Sequence, residues 1–344
     1  MKPRYILFFA LSLIFGSWGP ALSQDVVNDF PEAFQNLPAQ AENREFNNSI
    51  QFDAKGCHLQ GIQLYKENDQ LFAYISGSSA TKSYMATVSL ESPARVVAID
   101  ELMPDPFRHA GGFQIFENFL AVGIEDNYKR TSSVVRIYNL PKTQNDWSQP
   151  LYTIHRAGDF ERFTAGAVGI TKYKEEILLA VANWNSLNID FYTCPTADFY
   201  GGVGEFHHFA VLTPADVSPI GWSDSVWRSY QNINLFADAK EGLYLLGFAR
   251  EGKDQHLAEV FELTYSDSMT NSGADLNLKG KIQIQKIISK SFKAKGQTDF
   301  RAGAGLSILG GELILVSSPN QIEPKTSINF FQGSLSPTEF KPQR

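Results

Sequence analysis

The chain predicts an all-β fold of four-stranded antiparallel units repeated around an axis, and three observations predict it. A short motif recurs along the 344 residues, a small-residue start that leads into an apolar run. Each recurrence is followed by further short runs rich in Val, Ile, Leu and Tyr, separated by turn residues. No stretch keeps the 3.6-residue spacing of apolar positions that an amphipathic helix needs.

The motif reads Gly56-Cys57-His58-Leu59-Gln60-Gly61-Ile62, then His109-Ala110-Gly111-Gly112-Phe113-Gln114-Ile115, then Thr164-Ala165-Gly166-Ala167-Val168-Gly169-Ile170, and finally Arg301-Ala302-Gly303-Ala304-Gly305-Leu306-Ser307. Tyr230-Gln231-Asn232-Ile233-Asn234-Leu235 fits the same slot without the glycine. With His58, His109, Thr164, Tyr230 and Arg301 taken as equivalent, the steps are 51, 55, 66 and 71 residues, the size of a propeller blade or another strand repeat.

Within each unit the order is constant. The first continues with Leu71 to Ser76, Tyr84 to Leu90 and Arg95 to Leu102, and the second with Phe119 to Asp126, Ser132 to Leu140 and Gln149 to Arg156. The third supplies Ile177 to Trp184, Asn188 to Thr193 and Phe206 to Thr213, and the fourth Leu243 to Arg250, Leu257 to Tyr265 and Ile282 to Ile288. Only three strands follow in the last unit, Gly303 to Leu309, Leu313 to Ser318 and Ile328 to Gln332. An open seam would leave an unpaired strand edge, so a strand from within Phe30 to Phe52, at Phe46 to Phe52, is expected to complete it. The fold class is therefore an all-β, five-bladed β-propeller with four antiparallel strands per blade.

The glycines fit that reading. Five first strands converge on the axis of such a wheel, and crowding there favours Gly and Ala over branched side chains. The alternative is a two-sheet sandwich with Gly-rich turns, but a sandwich does not explain why the runs stand at the same place in each unit. Nor do they form a phosphate-binding loop, which needs a Gly-Lys-Ser or Gly-Lys-Thr and a following helix.

Composition narrows the partners. Thirty Lys and Arg against 37 Asp and Glu leave a net charge of −7, which argues against nucleic acid. With 43% apolar residues and 13% aromatics the chain is rich enough to bury a core. Lys2 and Arg4 precede an apolar run from Ile6 to Phe15, and Ala21-Leu22-Ser23 offers a cleavage site, so residues 1–23 read as a signal peptide removed before Gln24. The run is shorter than the roughly 20 residues of a membrane span. The expectation is a single propeller domain from residue 24 to 344, secreted or periplasmic.

Cys57 and Cys194 fall at the axis of one blade and at the end of a third strand in another, too far apart for the roughly 7 Å limit on a disulfide. No metal site is expected. Adjacent residues such as His207 and His208 point to opposite faces of a strand, and Asp267 to Asp275 lacks the order of a calcium loop. No cofactor motif is present.

In an up-and-down blade the entrance of the first strand and the exit of the second lie on one face near the axis. The entrances carry His58, Arg108, His109, Arg162, Thr164, Gln231 and Arg301. The exits carry Ser78, Glu125, Asp126, Asn183, Trp184, Arg250 and Asn320. Arginines suit anionic groups, and Trp184, with Trp222 and Trp227 in the connection from Ala215 to Ser229, suits a flat face such as a sugar. The duller reading pairs Glu125 and Asp126 with Arg108 or Arg301 as a structural staple.

The repeats resemble a β-propeller, although the kelch and WD patterns are missing. Five-bladed propellers include glycoside hydrolases of the arabinanase and fructosidase types, which carry carboxylates at first-strand entrances, where this chain carries His, Thr, Tyr and Arg. Two functional readings follow. In the first, the axial mouth is non-catalytic and binds a small polar or anionic ligand, a glycan or a partner protein through Arg108, His109, Glu125, Asp126, Asn183, Trp184, Gln231, Arg250 and Arg301. In the second, a hydrolase or lyase uses Glu125 or Asp126 with His109 or His58 as acid and base. A second carboxylate at the mouth, from Asp159 or Glu161, distinguishes them.

Overall fold

The computed structural model describes residues 26–50, 56–140, 147–218, 227–251, 255–265 and 282–333. The predicted signal peptide, Trp222 and the stretch from Asp267 to Asp275 lie outside the described residues.

A polar strand, β1 (Glu42–Asn47), precedes the repeats. Blade one is then built from β2 (His58–Glu67), β3 (Gln70–Ser78), β4 (Lys82–Ser89) and β5 (Arg95–Pro104). Blade two follows with β6 (His109–Phe116), β7 (Phe119–Glu125), β8 (Ser132–Asn139) and β9 (Tyr152–Ala157). Blade three consists of β10 (Ala167–Tyr173), β11 (Glu176–Ala182), β12 (Ile189–Pro195) and β13 (His207–Leu212). A two-residue strand β14 (Val217–Ser218) leads to blade four, β15 (Asn232–Ala237), β16 (Leu243–Glu251), β17 (Gln255–Tyr265) and β18 (Ile282–Phe292). Blade five holds β19 (Thr298–Leu309), β20 (Glu312–Pro319) and β21 (Lys325–Gln332).

Its fourth strand is β1, antiparallel to β21 from Glu42 opposite Phe330 to Asn47 opposite Lys325. The expected closure from the N-terminal side is therefore present, with its strand a few residues earlier than Phe46 to Phe52. A single parallel bridge from Asn47 to Arg95 ties it to blade one.

Five apolar clusters show that the blades form a ring. One packs β2 to β5 against β6 to β8, with Tyr74, Phe113 and Trp147. The others join blade two to three through Phe119 and Phe199, three to four through Phe191 and Phe261, four to five through Phe248 and Phe300, and five to one through Phe330 and Ile62. The chain is a five-bladed β-propeller.

At the hub the first strands touch. A Cβ on Gly111 would lie 2.1 Å from the carbonyl oxygen of Gly166, and one on Gly305 would lie 2.0 Å from that of Ile62. Side chains also cross the axis. Gln63 Nε2 donates to Asn234 Oδ1 (3.2 Å), and Gln114 Oε1 accepts from the amides of Ile170 and Leu235 (2.9 and 2.8 Å). The amide of Leu306 donates to Asn234 Oδ1, and that of Leu64 to Ser307 Oγ (both 2.9 Å). These bonds plug the centre and divide it into two axial ends.

The absence of helix expected from the sequence needs correction in two places, α1 (Phe30–Gln35) and α2 (Thr196–Tyr200). Asp29 caps α1 by accepting from the amide of Glu32 (2.8 Å), and Phe30 stacks on Phe236 and Tyr244 of blade four. Lys290 Nζ reaches the carbonyls of Gln35 and Leu37 at its other end. At five or six residues both are too short to show a periodic apolar face. Among the described residues no disulfide joins Cys57 and Cys194.

Candidate functional site

β2 and β6 start on the same face on which β3 and β7 end, and the register fixes what meets there. His58 is opposite Ser78, His109 is opposite Glu125, and Ser78 is also bridged to His109 from the next blade. Ser78 Oγ stands 3.1 Å from a ring nitrogen of His58, and His109 Nδ1 stands 3.0 Å from Glu125 Oε1. Glu125 is fully buried, and its other oxygen accepts from the amide of Ala165 (2.8 Å). The ring of His109 lies between those of His58 and Trp184, 5.5 and 5.8 Å between centroids. Burial and the neighbouring His109 both hold His58 below its ordinary value, so its ring is neutral at neutral pH.

The loop that carries Trp184 is held in place. The amide of Trp184 donates to Thr164 Oγ1 (2.7 Å), and Asn183 Nδ2 donates to the carbonyl of Glu161 (3.0 Å). Asn185 and Ser186 take positive φ of 61° and 55°, which turns the chain sharply after the ring. Arg130 lies over Trp184, 4.2 Å from its centroid, and binds Glu161 Oε1 at 2.6 Å. Glu161 thus supplies a second carboxylate on this face, paired with Arg130. Asp159, the other candidate, accepts through its carbonyl from the amide of Arg162 (3.1 Å).

Other predicted residues do different work. Asp126 Oδ1 accepts from the amides of Tyr128 and Lys129 and shapes its own turn. Arg108 donates to Asn127 Oδ1 and to the carbonyl of Ala80, and Arg250 pairs with Asp299 at 2.5 Å. The alternative pairing of Glu125 and Asp126 with Arg108 or Arg301 is not what the structure shows: Glu125 meets His109, and Arg301 is exposed on β19. Arg162 is drawn to Asp190 at 2.6 Å, together with Arg156 and, at 3.0 Å, His208. The structure therefore gathers His58, His109, Glu125 and Trp184, while the carbonyl of Gln231 packs at the hub, 2.8 Å from where a Cβ on Gly112 would stand. Arg108, Asn183 and Arg250 support the surrounding loops.

Sequence reasoning missed three components. Tyr128, Phe160 and Leu187, on the loops of this face in blades two and three, are 78%, 64% and 49% exposed. Asn232 is 1% exposed beside Gly61 and Gly112, and neither its Oδ1 nor its Nδ2 has a partner among the described residues. The Oγ atom of Ser318 shares that property on β20. Only the Asp-Asn-Tyr-Lys turn around Tyr128 carried a signal, as an aromatic in a polar loop. Among the described residues no three His, Cys, Asp or Glu side chains are placed to hold a metal ion, and no helix is long and apolar enough to cross a membrane.

No family model matches the chain, and no curated protein matches it. Solved structures do. The catalytic domain of a Coprinopsis cinerea GH62 alpha-L-arabinofuranosidase is similar at TM-score 0.45 and 10% identity, over 84% of this chain and 96% of that one. RS223-Beta-xylosidase is similar at TM-score 0.43 and 8% identity, over 82% and 94%. A Dyadobacter fermentans protein of unknown function is similar at TM-score 0.43 and 10% identity, over 84% and 99%.

Proposed function

We propose that the chain is an exported propeller, a single domain following a cleaved signal peptide, that binds a glycan at the axial mouth formed by His58, His109, Glu125, Trp184 and Gln231. The observation that supports it is that exposed Tyr128, Phe160 and Leu187 stand on loops of the same face as the buried polar groups His109 and Glu125. A sugar has the matching shape, with apolar C–H faces for aromatic rings and hydroxyls for imidazole, carboxylate and amide groups. His58, His109 and the unpartnered amide of Asn232 offer both donors and acceptors, as hydroxyls require. Arg301 provides a place for a carboxylate if the sugar is acidic.

One observation favours a second reading, hydrolysis at the same mouth. The buried Glu125 carboxylate stands 3.0 Å from His109 Nδ1, close enough to orient the ring on slight realignment for general acid or base work. The second carboxylate, Glu161, stands on the same face with Arg130 against it.

Isothermal titration with neutral and uronic-acid oligosaccharides tests the first reading. The wild type binds at least one, and Trp184→Ala and His109→Ala each weaken it about tenfold, the loss of a stacked ring or a hydrogen bond. Unchanged affinity in both variants removes the basis for the mouth. Release of reducing ends by the wild type, abolished in Glu125→Gln while binding persists, establishes the hydrolase; no release leaves a binding protein.

A further inference from the structure

The other axial end holds a cavity of about 480 Å³, lined where the first strands finish. All five blades contribute, and the walls are mixed: Leu64, Phe116, Leu235, Phe236 and Leu309 supply apolar surface beside polar groups such as Gln114, Thr171 and Ser307. Its volume is within the range of small-molecule sites, about 300–1,000 Å³.

The polar groups in this cavity decide what it can hold. Gln114 and Ser307 form the base, and both are fully engaged across the hub: Gln114 Nε2 donates to the carbonyl of Leu235 (2.8 Å), and Ser307 Oγ donates to Gln63 Oε1 (3.1 Å). The charges at the rim are also met. Lys66 pairs with Asp69 at 3.3 Å, and Glu117 accepts from the hydroxyl of Tyr200 at 2.8 Å. A charged ligand would find no unpaired opposite charge to offset its desolvation. Thr171 differs. It is 2% exposed and lines the cavity, and its hydroxyl has only a 3.5 Å contact with the carbonyl of Lys172, too long for a good O–H···O bond.

We propose that this cavity is a second binding site, separate from the mouth, for an uncharged, mainly apolar ring compound that carries a hydroxyl. Its ring packs between the Phe116 and Phe236 walls, and its hydroxyl pairs with Thr171 Oγ1.

Benzyl alcohol, benzoate and benzylammonium form a probe set of matched size and different charge, titrated into the full protein by ligand-observed NMR. Benzyl alcohol binds, and the two ions bind at least tenfold more weakly. Thr171→Val weakens benzyl alcohol about fivefold, the value of one neutral hydrogen bond. Ile308→Trp, which fills the cavity from a partly buried wall position, abolishes binding. His109→Ala leaves it unchanged, so failure at one end is distinguishable from failure at the other. Equal binding of all three probes, no binding of benzyl alcohol, or indifference to both cavity variants overturns the proposal.

Discussion

Gly111 shows how a single position is set by the wheel. A methyl group there meets the carbonyl of Gly166 at 2.1 Å, a backbone atom that cannot swing aside. Gly111→Ala is expected to lower stability by about 3 kcal/mol, near the upper end for overpacking, as read from urea unfolding. A loss under about 0.5 kcal/mol contradicts the hub packing. This glycine was legible in the sequence because a glycine recurs at the start of four of the five apolar runs. Asp190 was not, because its partners come from elsewhere in the chain: Arg156 on β9, Arg162 before β10 and His208 on β13. Burial opposes its ionisation, but hydrogen bonds from Arg162 and His208 and the charge of Arg156 outweigh that and hold the carboxyl well below the usual carboxylate range. A lowered folded-state value means that this contribution is complete above the unfolded value of about 3.9 and is lost as pH falls below it. Asp190→Asn is expected to cost about 3–5 kcal/mol at pH 7, from buried Arg156 and partly buried Arg162 left short of an anion. Its stability should also fall less steeply than that of the wild type below about pH 4. A parallel fall in both proteins contradicts the ion cluster.

At the scale of elements, the N-terminal segment does two jobs. Before β1 it is bound along blade four, where the amide of Phe30 donates to Asp238 Oδ2 (3.1 Å) and Ala239 donates to the carbonyl of Val27 (3.0 Å). It then supplies β1 to blade five, with Phe46 buried between blades five and one. That a strand from this side completes the ring was readable from the count of three strands in the last unit. Its position was read a few residues late because β1 is an edge strand of sequence Glu-Asn-Arg-Glu-Phe-Asn with one buried side chain, so alternation gave almost nothing to find. Phe46→Ala is expected to cost about 3–5 kcal/mol. A chain that starts at Ser49 exposes the β21 edge and elutes as aggregates in size exclusion. A monomer with wild-type unfolding shows instead that the ring closes without β1.

Across the whole molecule, five interfaces of similar construction bring residues from distant repeats to two axial ends, and a side-chain plug keeps those ends apart. The mouth face was legible as a ring of polar residues at strand ends, because blade topology alone dictates which ends meet. Which of those residues face a ligand was not legible. Arg108, Asp126 and Arg250 have the same composition signal as His109 and Glu125, and only the loop conformations turn them toward their own neighbours. The opposite cavity left no mark in the sequence, because its walls are ordinary residues at the ends of the first strands and in the turns that follow them.

The most direct test of the account is a titration of the oligosaccharide panel against the wild type and Trp184→Ala side by side. Saturable binding by the wild type, reduced about tenfold when the indole is removed, is the predicted result. Equal affinity in the two proteins, with both correctly folded, contradicts the mouth as the place where this propeller meets its ligand.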